Sequence, residues 1–254
     1  MNSKKEFPEG MVPLGGETFK FSCHAGVKCF MSCCKNVDMF LYPYDIVRLK
    51  NCLQIDSETC MRLYTRLVKG DHPYFPAVML KLKGDEEKSC PFLAEGGCSV
   101  YPDRPSACRI YPLERAVDRI QERGRSQDYY FLTDHPYCLG HKENHFYSVT
   151  QWQREQQLAD YNRMNDRWAE MDTIFAMNPW KGEGSGGPKQ QMAFMVSYDV
   201  DGFRSLANRE HLFDRFRLTK DMARLIQKDD AVLLHFGFEW LKLFLTGKSS
   251  LIRR

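Results

Sequence analysis

The chain has 254 residues, 43% of them hydrophobic and 27% charged, with a formal net charge of +3. That length can bury a sizeable core, and that balance excludes a disordered chain. The charge is too small and the basic residues too scattered to mark a nucleic-acid surface, so no nucleic-acid partner is expected.

In chain order, the first twenty or so residues are rich in Gly, Pro and charge and read as an extended arm. They lack the apolar run of a secretory signal, so a cytoplasmic location is expected. Asp45 can cap a helix that carries Ile46, Leu49, Cys52 and Leu53 on one face. A second helix is expected from Asp56 or Ser57 to about Lys69, ended by Gly70 and Pro73. The segment YFPAVMLKLK alternates as a strand or hairpin arm does. The next, cysteine-rich stretch lies among Gly and Pro and reads as loop.

From Thr150 the pattern changes. Tyr161, Met164, Trp168, Met171 and Phe175 recur at spacings of three and four, which predicts an amphipathic helix capped by Ser148 or Thr150. Residues 178–189 read as a loop. Met192, Phe194, Val196, Tyr198 and Val200 alternate at period two and predict a half-buried strand. Asp201, Thr219 and Asp229 would cap three C-terminal helices, with Gly247 closing the last. The most apolar stretch, AVLLHFGFEWLKLFL, is interrupted by His235, Glu239 and Lys242, so no membrane span is expected. The expected fold is mainly α with irregular loops and a minor β element. Residues 1–145 would form a metal-centred cysteine-rich domain, and residues 146–254 a helical cap packed on it.

Eight of the ten cysteines carry the chemical signal. Cys23, Cys29, Cys33 and Cys34 lie in FSCHAGVKCFMSCC. Cys90, Cys98 and Cys108 lie in SCPFLAEGGCSVYPDRPSACRIYP, and Cys138 lies in HPYCLGH. Cytosolic thiols stay reduced, so this density favours metal ligation over disulfides. Converging thiolates select zinc, copper(I) or an iron–sulfur cluster. The spacings form no tidy pair of zinc knuckles, whereas a [4Fe–4S] cubane tolerates irregular spacing. In extended backbone, neighbouring thiols point to opposite sides, so Cys33 and Cys34 could serve two centres; both on one centre is the competing arrangement. Cys52 and Cys60 read as core cysteines. Arg104 and Arg109 flank Cys108 and suit either thiolate contacts or ion pairs with Asp103 or Glu114. His24, His135 and His141 lie near the proposed ligands and read as surface or hydrogen-bonded groups. Asp199 and Asp201 read as helix caps rather than cation ligands.

CPFLAEGGCSVYPDRPSACRIYP resembles the second signature of the YkgJ-type cysteine-cluster proteins, in which CPFL, a GCxxY step and RPxxCR occur in order. The segment from Cys29 to Cys34 resembles that family's C-x2-C-x2-CC signature, and YPYDIVRL resembles the family's next segment. The spacings at Cys23, Cys29 and Cys33 depart from the pattern. The resemblance, over residues 20 to about 140, implies a zinc- or iron-chelating domain and a kinship with flagellin lysine methylases.

The leading expectation is an iron–sulfur protein holding one or two [4Fe–4S] clusters on Cys23, Cys29, Cys33, Cys34, Cys90, Cys98, Cys108 and Cys138. Electron transfer, redox sensing or support of a partner enzyme would be its role, with an unidentified protein partner. Two alternatives stand beside it. The resemblance implies protein-lysine N-methyl transfer, although no glycine-rich adenosine-binding loop is present. Zinc would instead make the domain a scaffold for protein interaction.

Overall fold

The computed structural model describes residue 7 and residues 11–120 and 125–254. Much of the expected N-terminal arm lies outside the described residues. Helices dominate, accompanied among the described residues by four two-stranded antiparallel sheets. The chain forms two compact units, residues 1–35 with 107–159 and residues 36–106 with 160–254.

The first unit is built on strands. β1 (Thr18–Lys20) pairs with β8 (Phe146–Ser148), setting Phe19 opposite Tyr147. β6 (Leu113–Ile120) and β7 (Arg125–Leu132) form a hairpin, with Leu113 opposite Leu132. α4 (Val149–Glu155) starts at Ser148, whose hydroxyl accepts the Gln151 N–H while the Gln151 side chain accepts the Ser148 N–H. This is a capping box, and it satisfies two otherwise orphaned donors. The core is small. Phe19, Phe21, Leu113, Tyr130, Trp152 and Leu158 are its buried residues. Trp152 meets Phe19 and Phe21 edge-on, and its indole N–H donates to the Ile110 carbonyl at 2.9 Å.

The second unit is mainly helical. α1 (Pro43–Leu53) begins beyond Tyr42, and Asp45 sits in its first turn, accepting the Tyr42 N–H at 2.9 Å. Asp45 is fully buried and also accepts the Ser106 N–H at 2.8 Å. α2 (Ser57–Tyr64) is capped by Asp56 and stops earlier than expected. Thr65 to Lys69 instead form β2, paired with β3 (Pro76–Leu80). β-branched Thr65 and Val68 suit a strand better than a helix terminus. The YFPAVMLKLK segment thus supplies the expected hairpin arm.

Most of α5 (Leu158–Ala176) belongs to this unit, and Tyr161, Met164, Trp168, Met171 and Phe175 are buried as their spacing predicts. Residues 178–187 form turns, although Trp180 within them is fully buried. The strand expected at residues 192–200 is a helix. α6 (Pro188–Tyr198) opens with Pro at its first position and buries Ala193, Val196 and Ser197, a helical spacing of three and one. α7 (Val200–Arg209) is capped by Asp199, not Asp201. α8 (Lys220–Lys228) and α9 (Asp230–Thr246) are capped by Thr219 and Asp229, and Gly247 closes α9 in the left-handed region at φ 76°. No helix among the described residues is long and apolar enough to cross a membrane.

Buried charge ties the second unit's helices together. Lys50 Nζ lies 2.8 Å from Asp230 and 3.1 Å from Asp201. Burial works against its charge, but these carboxylates outweigh it and hold its affinity for the proton above the ordinary value. The Asp201 carboxylate also accepts the Ser57 N–H at 2.8 Å, and the Ser57 hydroxyl donates to Asp199 at 2.6 Å.

Candidate metal centre

Six of the eight proposed ligands lie in the first unit: Cys23, Cys29, Cys33, Cys34, Cys108 and Cys138. Residues 24–34 follow a chain of tight turns, with Val27 N–H bonded to His24, Phe30 to Val27 and Ser32 to Cys29. Met31 takes a left-handed conformation at φ 68°, which few non-glycine residues adopt, and leads into a 3-10 turn at Ser32–Cys34. Cys33 and Cys34 are therefore not on extended backbone. Their side chains meet: a hydrogen bond from the Cys34 thiol is the largest influence on Cys33 and lowers it to about 7 against opposing burial. The adjacent pair does not splay toward opposite sides, because a 3-10 turn lacks the pleat that separates neighbours in a strand.

Cys138 reaches the same neighbourhood through a close backbone approach. Gly140 accepts the Ser22 N–H at 3.0 Å. A Cβ on Gly140 would sit 2.8 Å from the Phe21 ring and 2.8 Å from the Ser22 carbonyl, so this crossing needs glycine. The adjacent Leu139 N–H donates to Cys29 Sγ at 3.1 Å. Amide donors to sulfur stabilise the thiolate form and tune a bound metal or cluster.

Tyr137 binds these observations together. Its hydroxyl is held above the ordinary value by burial first, then by the Cys33, Cys138 and Cys29 thiolates. All three thiols thus act electrostatically on this half-exposed phenol. Tyr111 is likewise raised, by burial and by Cys138 beside it. Its ring stacks on His135 at 5.7 Å, and His135 stacks on Tyr137 at 5.1 Å. His135 therefore serves in an aromatic wall around the thiols. Neither tyrosine stood out in the sequence; only CRIYP and HPYC, each placing a Tyr beside a cysteine segment, hinted at them.

The remaining first-unit groups have local roles. Cys23 and Cys108 are exposed, Cys108 on the short helix α3 (Ser106–Ile110). His24 lies 3.6 Å from Glu143, and His141 lies 3.7 Å from Asp134. Arg109 donates to the Gln156 carbonyl at 2.7 Å.

Cys90 and Cys98 lie in the second unit. They bracket the hairpin of β4 (Leu93–Ala94) and β5 (Gly97–Cys98), where Leu93 pairs with Cys98 and donates its N–H to the Cys90 carbonyl at 3.0 Å. In the same unit Arg104 stacks over the Tyr101 ring at 3.8 Å and donates to the Tyr101 carbonyl at 2.7 Å. Cys60 is fully buried in the core and burial raises it to about 11, which makes it an inert packing residue. Cys52, expected as core, is only half-buried.

Among the described residues no three His, Cys, Asp or Glu side chains already stand as a coordination sphere. The donor set nonetheless suits a soft metal. Its sulfurs are partly exposed, one is easily ionised and another receives an amide N–H. Cys29, Cys33, Cys34 and Cys138 are the residues that would hold the metal, with Cys23 and Cys108 exposed in the same unit.

A family model described as "CxxCxxCC: Putative zinc- or iron-chelating domain" matches residues 22–139, a little under half of the chain. Residues 22–139 are thus similar to this family, in line with the cysteine-cluster resemblance of the sequence. The CxxCxxCC domain spans all eight proposed ligands, and metal binding is the property its description supports. No curated protein and no solved structure matches the chain.

A cavity of about 570 Å³ opens in the second unit, lined by Met61, Leu67, Phe75, Phe194 and Met195. His72 and Gln190 are among the polar groups at its edge. His72 Nε2 lies 3.2 Å from Asp172, its Nδ1 accepts the Tyr74 N–H at 3.3 Å, and Gln190 donates to the Tyr74 carbonyl at 3.0 Å.

Proposed function

We propose that the CxxCxxCC domain holds an iron–sulfur cluster of the [4Fe–4S] type on the first unit's thiols, and that the protein acts in electron transfer, redox sensing or support of a partner enzyme. The observation that carries this reading is the setting of Cys29, Cys33 and Cys138. The Leu139 N–H, next to Cys138, donates to Cys29 Sγ at 3.1 Å, and the Cys33 side chain meets that of Cys34. A cubane distributes four thiolates over four irons and accepts such irregular placement, whereas zinc needs its four ligands at one point. The meeting of Cys33 and Cys34 favours both thiols on one cluster in this unit over a pair serving two. When bound, such a cluster supplies one-electron chemistry. The chain's own contribution is an aromatic wall of Tyr111, His135 and Tyr137 on one side and a sulfur-directed amide on another. Both bear on reduction potential through polarity and hydrogen bonding.

Anaerobic purification tests this reading. A brown protein with a broad charge-transfer band, and iron and acid-labile sulfide in equal amounts, is expected. Cys33→Ser and Cys138→Ala should each lower both. A colourless protein with stoichiometric zinc, and no cluster after reconstitution with iron and sulfide, would replace this reading with the zinc scaffold.

A further inference from the structure

The cavity of the second unit is lined by none of the proposed metal ligands. It opens between α2, α6 and the loop that joins β2 to β3, and its volume of about 570 Å³ is that of a small-molecule site. Met61 on α2, Leu67 on β2, Phe75 just before β3, and Phe194 and Met195 on α6 make its walls apolar.

These walls are fixed by contacts of their own. Gln190 fastens two of them: its Nε2 donates to the Tyr74 carbonyl at 3.0 Å, and its Oε1 accepts the Gly186 N–H at 2.6 Å. The loop turns so tightly that a Cβ on Gly70 would sit 2.9 Å from the Phe75 carbonyl oxygen. Phe75 itself is buried and stacks on Phe175 at 4.4 Å. A preformed apolar pocket spends little free energy on ordering when a ligand enters.

Charge narrows the ligand. Three charged side chains line the cavity: Glu58, Asp199 and Lys69. Asp199 is held through one oxygen. Its Oδ1 accepts the Ser57 hydroxyl at 2.6 Å and the Gly202 N–H at 3.0 Å, while Oδ2 accepts no hydrogen bond among the described residues. Glu58 and Lys69 are exposed, and their side chains make no hydrogen bond or ion pair among the described residues. Lys69 can carry its head into water on a flexible stem, whereas Asp199 is fixed. His72, also in the lining, adds no cation: its Nδ1 accepts the Tyr74 N–H at 3.3 Å, so Nε2 carries the hydrogen and directs it at Asp172, 3.2 Å away. Two carboxylates against one ammonium leave the lining acidic.

We infer that this cavity binds a small organic cation, an amine on an aryl or alkyl body, with the body against Met61, Phe194 and Met195 and the ammonium toward Asp199 and Glu58. Aromatic and thioether walls suit such a body, and an aromatic face also attracts a cation. A carboxylate of the same shape would meet Glu58 and Asp199 with repulsion, and repulsion sets selectivity as much as attraction does.

The test is NMR of the full chain with ¹³C-labelled methionine methyl groups, assigned through Met61→Leu and Met195→Leu. The titrants are phenethylamine, phenylpropanoate and phenethyl alcohol, which share a body and differ in charge. Phenethylamine should move the Met61 and Met195 signals saturably and leave Met31 and Met222 in place. Phenylpropanoate should bind about tenfold more weakly than the amine, since repulsion replaces attraction. Glu58→Gln should weaken the amine about threefold, the scale of one exposed ion pair, and leave the alcohol unchanged. Met61 and Met195 signals that stay still at millimolar amine, or a carboxylate that binds as tightly as the amine, overturn the inference. So does a Glu58→Gln variant that keeps its affinity for the amine or weakens the alcohol equally.

Discussion

The two units solve the stability problem by different means. The second buries an extensive aromatic and aliphatic core, from Leu41 and Ile46 through Trp168 and Phe175 to Phe238 and Leu241. Among the described residues the first has a small buried cluster of six residues and a hairpin, and it carries six of the proposed thiol ligands, most of them on turns and loops and Cys108 on a short helix. A domain with so little apolar burial usually needs a metal or another crosslink. Metal binding then supplies part of the folding free energy, because ligands that are scattered in the unfolded chain are drawn together. The contrast teaches that thiol density and core size are inversely arranged here.

The largest expected effect comes from metal removal. Stripping metal from the purified protein should raise amide exchange about tenfold or more across Phe19–Cys34 and Cys108–Trp152, while α6 and α9 keep their protection. Equal protection of the first unit in metal-free and metal-bound protein would break the comparison.

A core truncation probes the other side. Phe175 stacks on Phe75 at 4.4 Å and meets Trp180 at 5.3 Å. Phe175→Ala should cost about 3–5 kcal/mol by urea unfolding, the range for a buried aromatic, and leave iron content unchanged. A loss below about 1 kcal/mol would mean that this core relaxes around the cavity.

Acid sharpens the comparison more gently. Glu239 is buried, which alone would raise it, but hydrogen bonds from Lys242 at 2.6 Å and from the Ser250 hydroxyl and N–H outweigh burial and hold it at about 2. A carboxylate depressed in the folded state stabilises above its unfolded value and loses that contribution as pH falls through the folded one. The second unit should therefore lose about 1–2 kcal/mol between its ordinary value of 4.5 and about pH 2, allowing for solvent screening. Glu239→Gln should flatten that part of the stability–pH curve. An unchanged slope in the variant would assign the acid sensitivity to other groups, such as the Lys50 hub.

Much of this molecule was legible in the chain itself. The caps at Asp56, Thr219 and Asp229, the stop at Gly247 and the buried stripe of α5 rest on interactions within a few residues, so local pattern determines them; Ser148 caps a separate helix, α4, and not the helix of that stripe as expected, because the chain breaks at Gln157 in the left-handed region. The metal-binding character of residues 22–139 was legible too, because thiol density and the CPFL–GCxxY–RPxxCR order are linear properties. Tertiary structure decided the rest. The period-two alternation at residues 192–200 looked like a strand because small Ala193 and Ser197 belong to the buried face and carry little hydropathic signal. The β6–β7 hairpin is rich in charge and shows no clean alternation, so pairing rather than pattern makes it. Above all, the grouping of thiols depends on chain crossings. Gly140 lets Cys138 approach Cys29, and a 3-10 turn joins Cys33 to Cys34. Spacing in a sequence records which ligands exist; only long-range contacts between loops determine which of them share a metal.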